Sequence, residues 1–281
     1  MIWQTKSHTF DLSHRALIMG VLNVTADSFS DGGQFLQVER ALQHAAQLAD
    51  EGADIIDIGG ESTRPGAQPV PEEEEMRRVV PIIERLGKEE RFVISIDTMK
   101  PAVARAAMEA GAEIINDVTG LRDPAMREVA QATGAGAIAM HMQGTPRDMQ
   151  RAPQYTDVVG EIREFFRQTF SACLASGIDP MRLAFDPGIG FGKTVEHNLT
   201  LLRNLDSMRV EGRPLVLGVS RKSFLGKVLE SDALADRSWP TVALTSYGRS
   251  HGAEIFRIHE ARLNTEALRM TEAILEPAGA S

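Results

Sequence analysis

The sequence predicts an α/β chain folded as a (β/α)8 barrel, on three observations. Eight short apolar, β-branched runs alternate with longer amphipathic stretches. The predicted strands are apolar throughout, as strands buried on both faces are, which implies a parallel sheet covered by helices. The long connections all follow strands, whereas the connections from helix to strand are short and begin with Gly.

The strand candidates are 16–23 (ALIMGVLN), 53–59 (ADIIDIG), 91–97 (RFVISID), 112–117 (AEIIND), 135–142 (AGAIAMHM), 182–186 (RLAFD), 214–220 (PLVLGVS) and 253–259 (AEIFRIH). Between them, segments 39–52, 71–87 and 161–177 repeat apolar residues at spacings of three and four, the second opening on Glu72–Glu75 as a solvated, acidic helix start. Four stretches, EGADIIDI, AGAEIIND, TGAGAIAM and HGAEIFRI, repeat one design in which Gly ends a helix in the left-handed conformation and a strand begins at once. An open doubly wound sheet is the runner-up, and it lacks the G-x-G-x-x-G turn expected after a first strand. Residues 1–14 read as a short extension, a hairpin closing the bottom of the barrel. No linker or low-complexity tract divides residues 1–281, so one domain is expected.

The formal net charge of −9 argues against non-specific binding to nucleic acid or anionic membrane, so an anionic substrate needs local basic residues. No apolar run is long enough to span a bilayer and the first residues lack a signal-peptide core, which makes a cytoplasmic location the expectation. The single cysteine, Cys173, lies in a helical pattern between Phe170 and Leu174; it reads as a small buried hydrophobe, and a thiolate metal site is excluded.

Loops 24–38, 60–71 and 143–156 are long and rich in Gly, Ser, Thr and Pro, which places function at the C-terminal ends of the strands. The strand ends carry Asn23, Asp57 with Glu61, Asp97, Asn116 with Asp117, His141, Asp186, Ser220 with Lys222, and Arg257 with His259. One or two of these, Asp117 or Ser220, are expected as helix N-caps. Asp97, Asp186 and Asn116, with Lys222 facing a ring carbonyl, are the hydrogen-bond complement of a guanidine-containing heterocycle such as a pterin or guanine. Arg257 and His259, two apart on one strand, share a face and suit a phosphate group, while Asn23 offers a hard oxygen of the kind that Mg2+ shares with substrate phosphates. The glycines of DPGIGFGKT, around Phe191, are expected to let backbone approach flat substrates closely.

The stretches MGVLNVTADSFSDGG (19–33), DIGGESTRPG (57–66), SIDT (95–98), INDVTG (115–120), MHMQGTPRDMQ (140–150), DPGIGFGKT (186–194), GVSRKSFLG (218–226) and RIHE (257–260) together resemble the successive signatures of the dihydropteroate synthases, in order and over nearly the whole chain. The resemblance implies a TIM barrel that joins 6-hydroxymethyl-7,8-dihydropterin pyrophosphate to p-aminobenzoate, releasing pyrophosphate and forming 7,8-dihydropteroate for folate synthesis. By position it implies a pterin pocket of Asp97, Asn116, Met140, Asp186, Gly218 and Lys222. The p-aminobenzoate site would be Thr63, Arg64, Pro65, Gly190, Phe191, Ser220 and Lys222, where sulfonamides compete. A pyrophosphate group would comprise Asn23, Arg257 and His259, with Asn23 on Mg2+. Asp97, Lys222, Arg257 and His259 are the expected catalytic residues. The family also implies a homodimer through helices late in the barrel. Ala26 replaces the family's usual Pro, and Glu260 its usual Asp, whose longer arm is expected to alter how His259 is oriented. A pterin-dependent corrinoid methyltransferase shares the pterin pocket without requiring ESTRPG and SRKSF, and a non-catalytic pterin-binding paralogue would need no pyrophosphate group.

Overall fold

Apolar, β-branched runs become strands here because each finds a buried neighbour on both faces of the sheet. The computed structural model describes residues 1–24, 34–64, 66–89 and 91–275. Its first two strands, β1 (Ile2–Gln4) and β2 (Thr9–Asp11), pair antiparallel as a hairpin. The barrel strands are β3 (Leu17–Asn23), β4 (Ile55–Gly59), β5 (Val93–Asp97), β6 (Ile114–Asp117), β7 (Gly136–Met140), β8 (Leu183–Asp186), β9 (Val216–Leu217) and β10 (Ile255–Ile258). They lie parallel in the order β8-β7-β6-β5-β4-β3-β10-β9, and a parallel bridge between Phe185 and Leu215 joins the two edges, so the barrel closes. All eight expected strands are present. β9 is far shorter than the run 214–220, because the chain leaves the ladder at Gly218 and enters a turn in which Arg221 takes a left-handed φ of 58°.

The helices are α1 (Gln34–Asp50), α2 (Glu72–Leu86), α3 (Pro101–Ala110), α4 (Pro124–Thr133), α5 (Val158–Ala175), α6 (Val195–Arg203), α7 (Ser223–Leu229), α8 (Ser238–Ser250) and α9 (Ala261–Leu275). The expected glycine endings hold: Gly52, Gly111, Gly134 and Gly252 have φ of 100°, 124°, 67° and 91°. Cys173 is buried on α5, and burial pushes its thiol up to about 12, which leaves it an inert hydrophobe. Among the described residues no helix is long and apolar enough to cross a membrane.

The strands alternate strictly, although their sequences do not show it. Ile18, Ile56, Ile94, Ile115, Ala137, Leu183, Leu217 and Phe256 face outward into the layer of helices. Leu17, Ile55, Val93, Ile114, Ile138, Ala184, Val216 and Ile255 face inward and form a floor with Trp3 and Leu12. The hairpin therefore closes the bottom, as expected. Trp3 is wholly buried and donates its indole N–H to the Arg182 carbonyl at 3.0 Å. Glu113 fastens the hairpin turn by accepting from Thr5 Oγ1 at 2.6 Å and from the Ser7 N–H at 3.0 Å.

Candidate active site

Two residues beyond the floor, the period of a strand returns the same face, and the inner side chains become Asp57, Ser95, Asn116, Met140, Asp186, Gly218 and Arg257. A further step gives Asp97, Ser220 and His259. Arg257 lies at the centre. Its Nε donates to Asp57 Oδ2 and its Nη2 to Asp97 Oδ2, both at 2.6 Å, while Asn116 Nδ2 donates to Asp57 Oδ2 at 3.2 Å. Burial disfavours the guanidinium, but Asp57 and Asp97 outweigh it and hold Arg257 charged. Asp97 is raised above the ordinary carboxylate range, chiefly by burial and further by Asp57 and Glu75, against the pull of Arg257. Among the described residues its Oδ1 is buried without a hydrogen-bond partner, as is Asp57 Oδ1.

Asp186 accepts the Gly188 N–H at 2.6 Å, and burial raises it too, against that hydrogen bond and the charges of Lys222 and Arg257. A Cβ at Gly218 would stand 3.5 Å from Asp186 Oδ2, so the missing side chain leaves open space beside the carboxylate. Met140, Met142, Met149, Val118 and Phe191 form a small buried cluster against these polar groups, with Met99 packed on it. Lys222 Nζ lies 3.9 Å from the centroid of the Phe191 ring, a cation–π contact. Burial, and then the charge of Arg257, lowers its amine to about 7.

The glycines near Phe191 have left-handed φ, 65° at Gly188, 84° at Gly190 and 59° at Gly192. What they meet is protein. A Cβ at Gly188 would stand 1.9 Å from the His141 carbonyl oxygen, one at Gly192 2.5 Å from that of Gln143, and one at Gly190 3.1 Å from Lys222 Cδ. They let two loops and a lysine approach one another, and so shape the pocket indirectly.

On the other side of β10, Ser220 Oγ accepts the His259 backbone N–H at 3.1 Å and lies 3.0 Å from His259 Nδ1. Ser220 thereby holds both the backbone and the imidazole of His259 through one hydroxyl. Burial, and then the surrounding cations Arg257, Arg221, Lys222 and Arg64, push His259 down to about 3, which keeps the imidazole neutral. Asn23 and His259 line a cavity of about 610 Å3 together with Arg64, Arg221 and Arg262, and with the carboxylates of Glu51 and Glu260. Thr63 is half-buried on the same loop as Arg64, and that loop is fixed at its base, where Glu61 accepts from the Val70 N–H at 2.9 Å and from Lys100 Nζ at 2.5 Å. Ala26 and Pro65 lie outside the described residues.

Several expectations need correction. Asp117 and His141 face away from the site: Asp117 accepts from the Thr119 and Leu121 N–H groups, and His141 packs between Phe165 and Tyr155. Ser220 caps no helix, since it serves His259. Glu260 turns its longer arm to Arg221 Nη2, which donates to it at 2.6 Å. Asp57, noted at the rim without a role, is the fully buried anchor of Arg257. Met99, Met142, Met149 and Lys193 were not singled out; the signal for the first three was their density in TMK and MHMQGTPRDM.

The family model described as "Pterin binding enzyme" matches residues 19–259. The dihydropteroate synthase of Escherichia coli (strain K12) is 43% identical over 95% of this chain and 94% of its own length. Among solved structures, Yersinia pestis dihydropteroate synthase with a sulfonamide drug complex superposes with a TM-score of 0.91 at 43% identity, covering 98% of this chain and 99% of that one. The Xanthomonas albilineans enzyme in complex with 7,8-dihydropteroate gives 0.89 at 38% identity, over 99% and 100%. With a family model matched over most of its length and relatives above 40% identity along nearly the whole chain, the chain belongs to the pterin-binding enzymes as a member of the dihydropteroate synthase family.

Proposed function

We propose that this chain condenses 6-hydroxymethyl-7,8-dihydropterin pyrophosphate with p-aminobenzoate, giving 7,8-dihydropteroate and pyrophosphate. The observation that carries the reading is the convergence of Asp97, Asn116 and Asp186 beside the empty face of Gly218. Asp97 Oδ1, buried and unpartnered within the fold, is an acceptor that a ring N–H of a pterin would satisfy. Asn116 and Asp186 complete the edge recognition, Met140 covers the ring, and Lys222 donates to its carbonyl.

The chemistry needs no covalent nucleophile from the protein, because the substrate amine attacks. Loss of pyrophosphate ahead of amine attack leaves positive charge on the exocyclic methylene and ring, which Asp97 and Asp186 stabilise. His259 and Arg257 receive the departing anion, and Arg64 and Arg221 add positive charge to the cavity that His259 lines. Arg64 was expected beside the amine, and its place beside Asn23 and His259 supports a share in holding phosphate. Phe191 stacks on the aryl ring of p-aminobenzoate, flanked by Gly190, Thr63, Ser220 and Lys222, and sulfonamides would compete there.

Mg2+ fits the donor set only as a shared ion. Among the described residues no three His, Cys, Asp or Glu side chains gather into a cage, whereas Asn23 supplies one hard oxygen to the anion cavity and a diphosphate would supply the rest. When bound, the ion would offset charge on the leaving group. The exposed apolar side chains Val228 and Leu229 on α7, Leu234 on the approach to α8 and Trp239 in its first turn support a homodimer through the late helices. The cytoplasm is the proposed compartment.

The test supplies purified protein with dihydropterin pyrophosphate, Mg2+ and p-aminobenzoate and identifies the product by mass. Dihydropteroate that forms only with both substrates is expected; pterin binding without condensation would point to the paralogue or methyltransferase reading.

A further inference from the structure

Lys193 is buried, and the three hydrogen bonds of its ammonium all go to uncharged acceptors: the Phe191 carbonyl at 2.9 Å, His141 Nδ1 at 3.1 Å and the His141 carbonyl at 3.3 Å. Burying an ammonium among such partners costs more than burying a methionine of similar shape. Burial lowers the amine to about 7, while the carboxylate of Asp186 pulls the other way. A side chain this expensive, with every donor used, is arranged to hold something in place.

What it spans is the junction between residues 141–143 after β7 and residues 187–194 after β8. These are the loops pressed together at Gly188 and Gly192. Tyr155 adds one bond from outside, donating to the Gly192 carbonyl at 2.9 Å. The Lys193 bond to the Phe191 carbonyl fixes the backbone of the residue whose ring lies beneath Lys222. Asp97 and Asn116 stand on β5 and β6, and Asp186 ends β8, so the pterin-recognising groups are held by the barrel itself.

We infer that Lys193 is a positioning residue for the amine half of the reaction: it stitches the loops after β7 and β8 together and so fixes the Phe191 ring beneath Lys222. The inference rests on the reading that p-aminobenzoate binds against Phe191.

The experiment compares wild type, Lys193→Met, Phe191→Ala and the double variant by steady-state kinetics, with pterin affinity measured by calorimetry. In Lys193→Met the KM for p-aminobenzoate is expected to rise about tenfold, with pterin affinity held within about twofold. In the Phe191→Ala background the same change is expected to add nothing to KM. A merely structural role would lower thermal stability and the active fraction while leaving KM alone. An unchanged KM in folded Lys193→Met, or independent effects that multiply in the double variant, would overturn the inference while leaving the synthase reading intact. Wild-type protein that makes no dihydropteroate would overturn both. Should Lys193→Met fail to fold, Lys193→Gln, one bond shorter and uncharged so that it cannot keep all three bonds, decides by the same comparison: a smaller rise in KM that vanishes in the Phe191→Ala background is expected, and a rise that persists in that background would refute.

Discussion

At the lower end of the barrel, Ile55, Ile114, Ala184 and Ile255 meet Trp3 in a dry floor; one step of two residues up the same strands stand Asp57, Asn116, Asp186 and Arg257. The backbone geometry is the same at both levels, and only the side chains differ. At the floor, apolar burial stabilises the fold. At the rim, the charges are buried at a cost that their mutual pairing only partly offsets. Closure at one end thus allows the other to be built for binding, and the two ends should answer separately to mutation.

The largest effect is expected at the floor. Trp3→Ala should cost about 3–5 kcal/mol in urea unfolding, while kcat of the folded enzyme stays near wild type. A loss of kcat without a loss of stability would break the division.

The rim should show itself in pH dependence. Lys222 is depressed to about 7, so its ammonium is lost as pH rises through that value, and kcat/KM should fall there. Asp97 and Asp186 are raised, so their anionic forms are lost as pH falls through values above the ordinary carboxylate range, and kcat/KM should fall on that side as well. Trp3→Ala should move neither limb, a comparison that initial rates across pH can make directly.

The smallest effect is expected at Glu260. Its pair with Arg221 is half-exposed, and such pairs contribute about 0–1 kcal/mol. Glu260→Asp should leave both melting temperature and kcat/KM nearly unchanged, because His259 takes its orientation from Ser220. A large fall in kcat/KM would show that Glu260 acts on His259 after all.

How much of this was legible in the sequence depends on distance along the chain. The eight strands, the glycine helix ends and the hairpin follow from local pattern. So do the polar residues at the strand ends, because a strand end is itself a local feature. Partnerships are a different matter. Arg257 meets Asp57 across 200 residues, and only the closure of the barrel brings β10 near β4. Asp57 was hidden further by its setting, one polar residue inside an apolar run with no visible alternation. His141 and Asp117 misled because strand alternation turns each away from the inner face that its neighbours Met140 and Asn116 occupy. Lys193 sat within a glycine-rich stretch whose purpose, letting two loops touch, appears only when both loops are in place.

The separation of rim from floor is tested most directly at Asp186, by calorimetric titration of Asp186→Ala with 6-hydroxymethyl-7,8-dihydropterin pyrophosphate alongside its thermal melt. The expected result is an affinity weakened by roughly a hundredfold or more, with a melting temperature close to that of the wild type, since relief from burying the carboxylate opposes the loss of its contacts with Gly188, Lys222 and Arg257. Unchanged affinity, or affinity lost only because the barrel unfolds, would contradict the account.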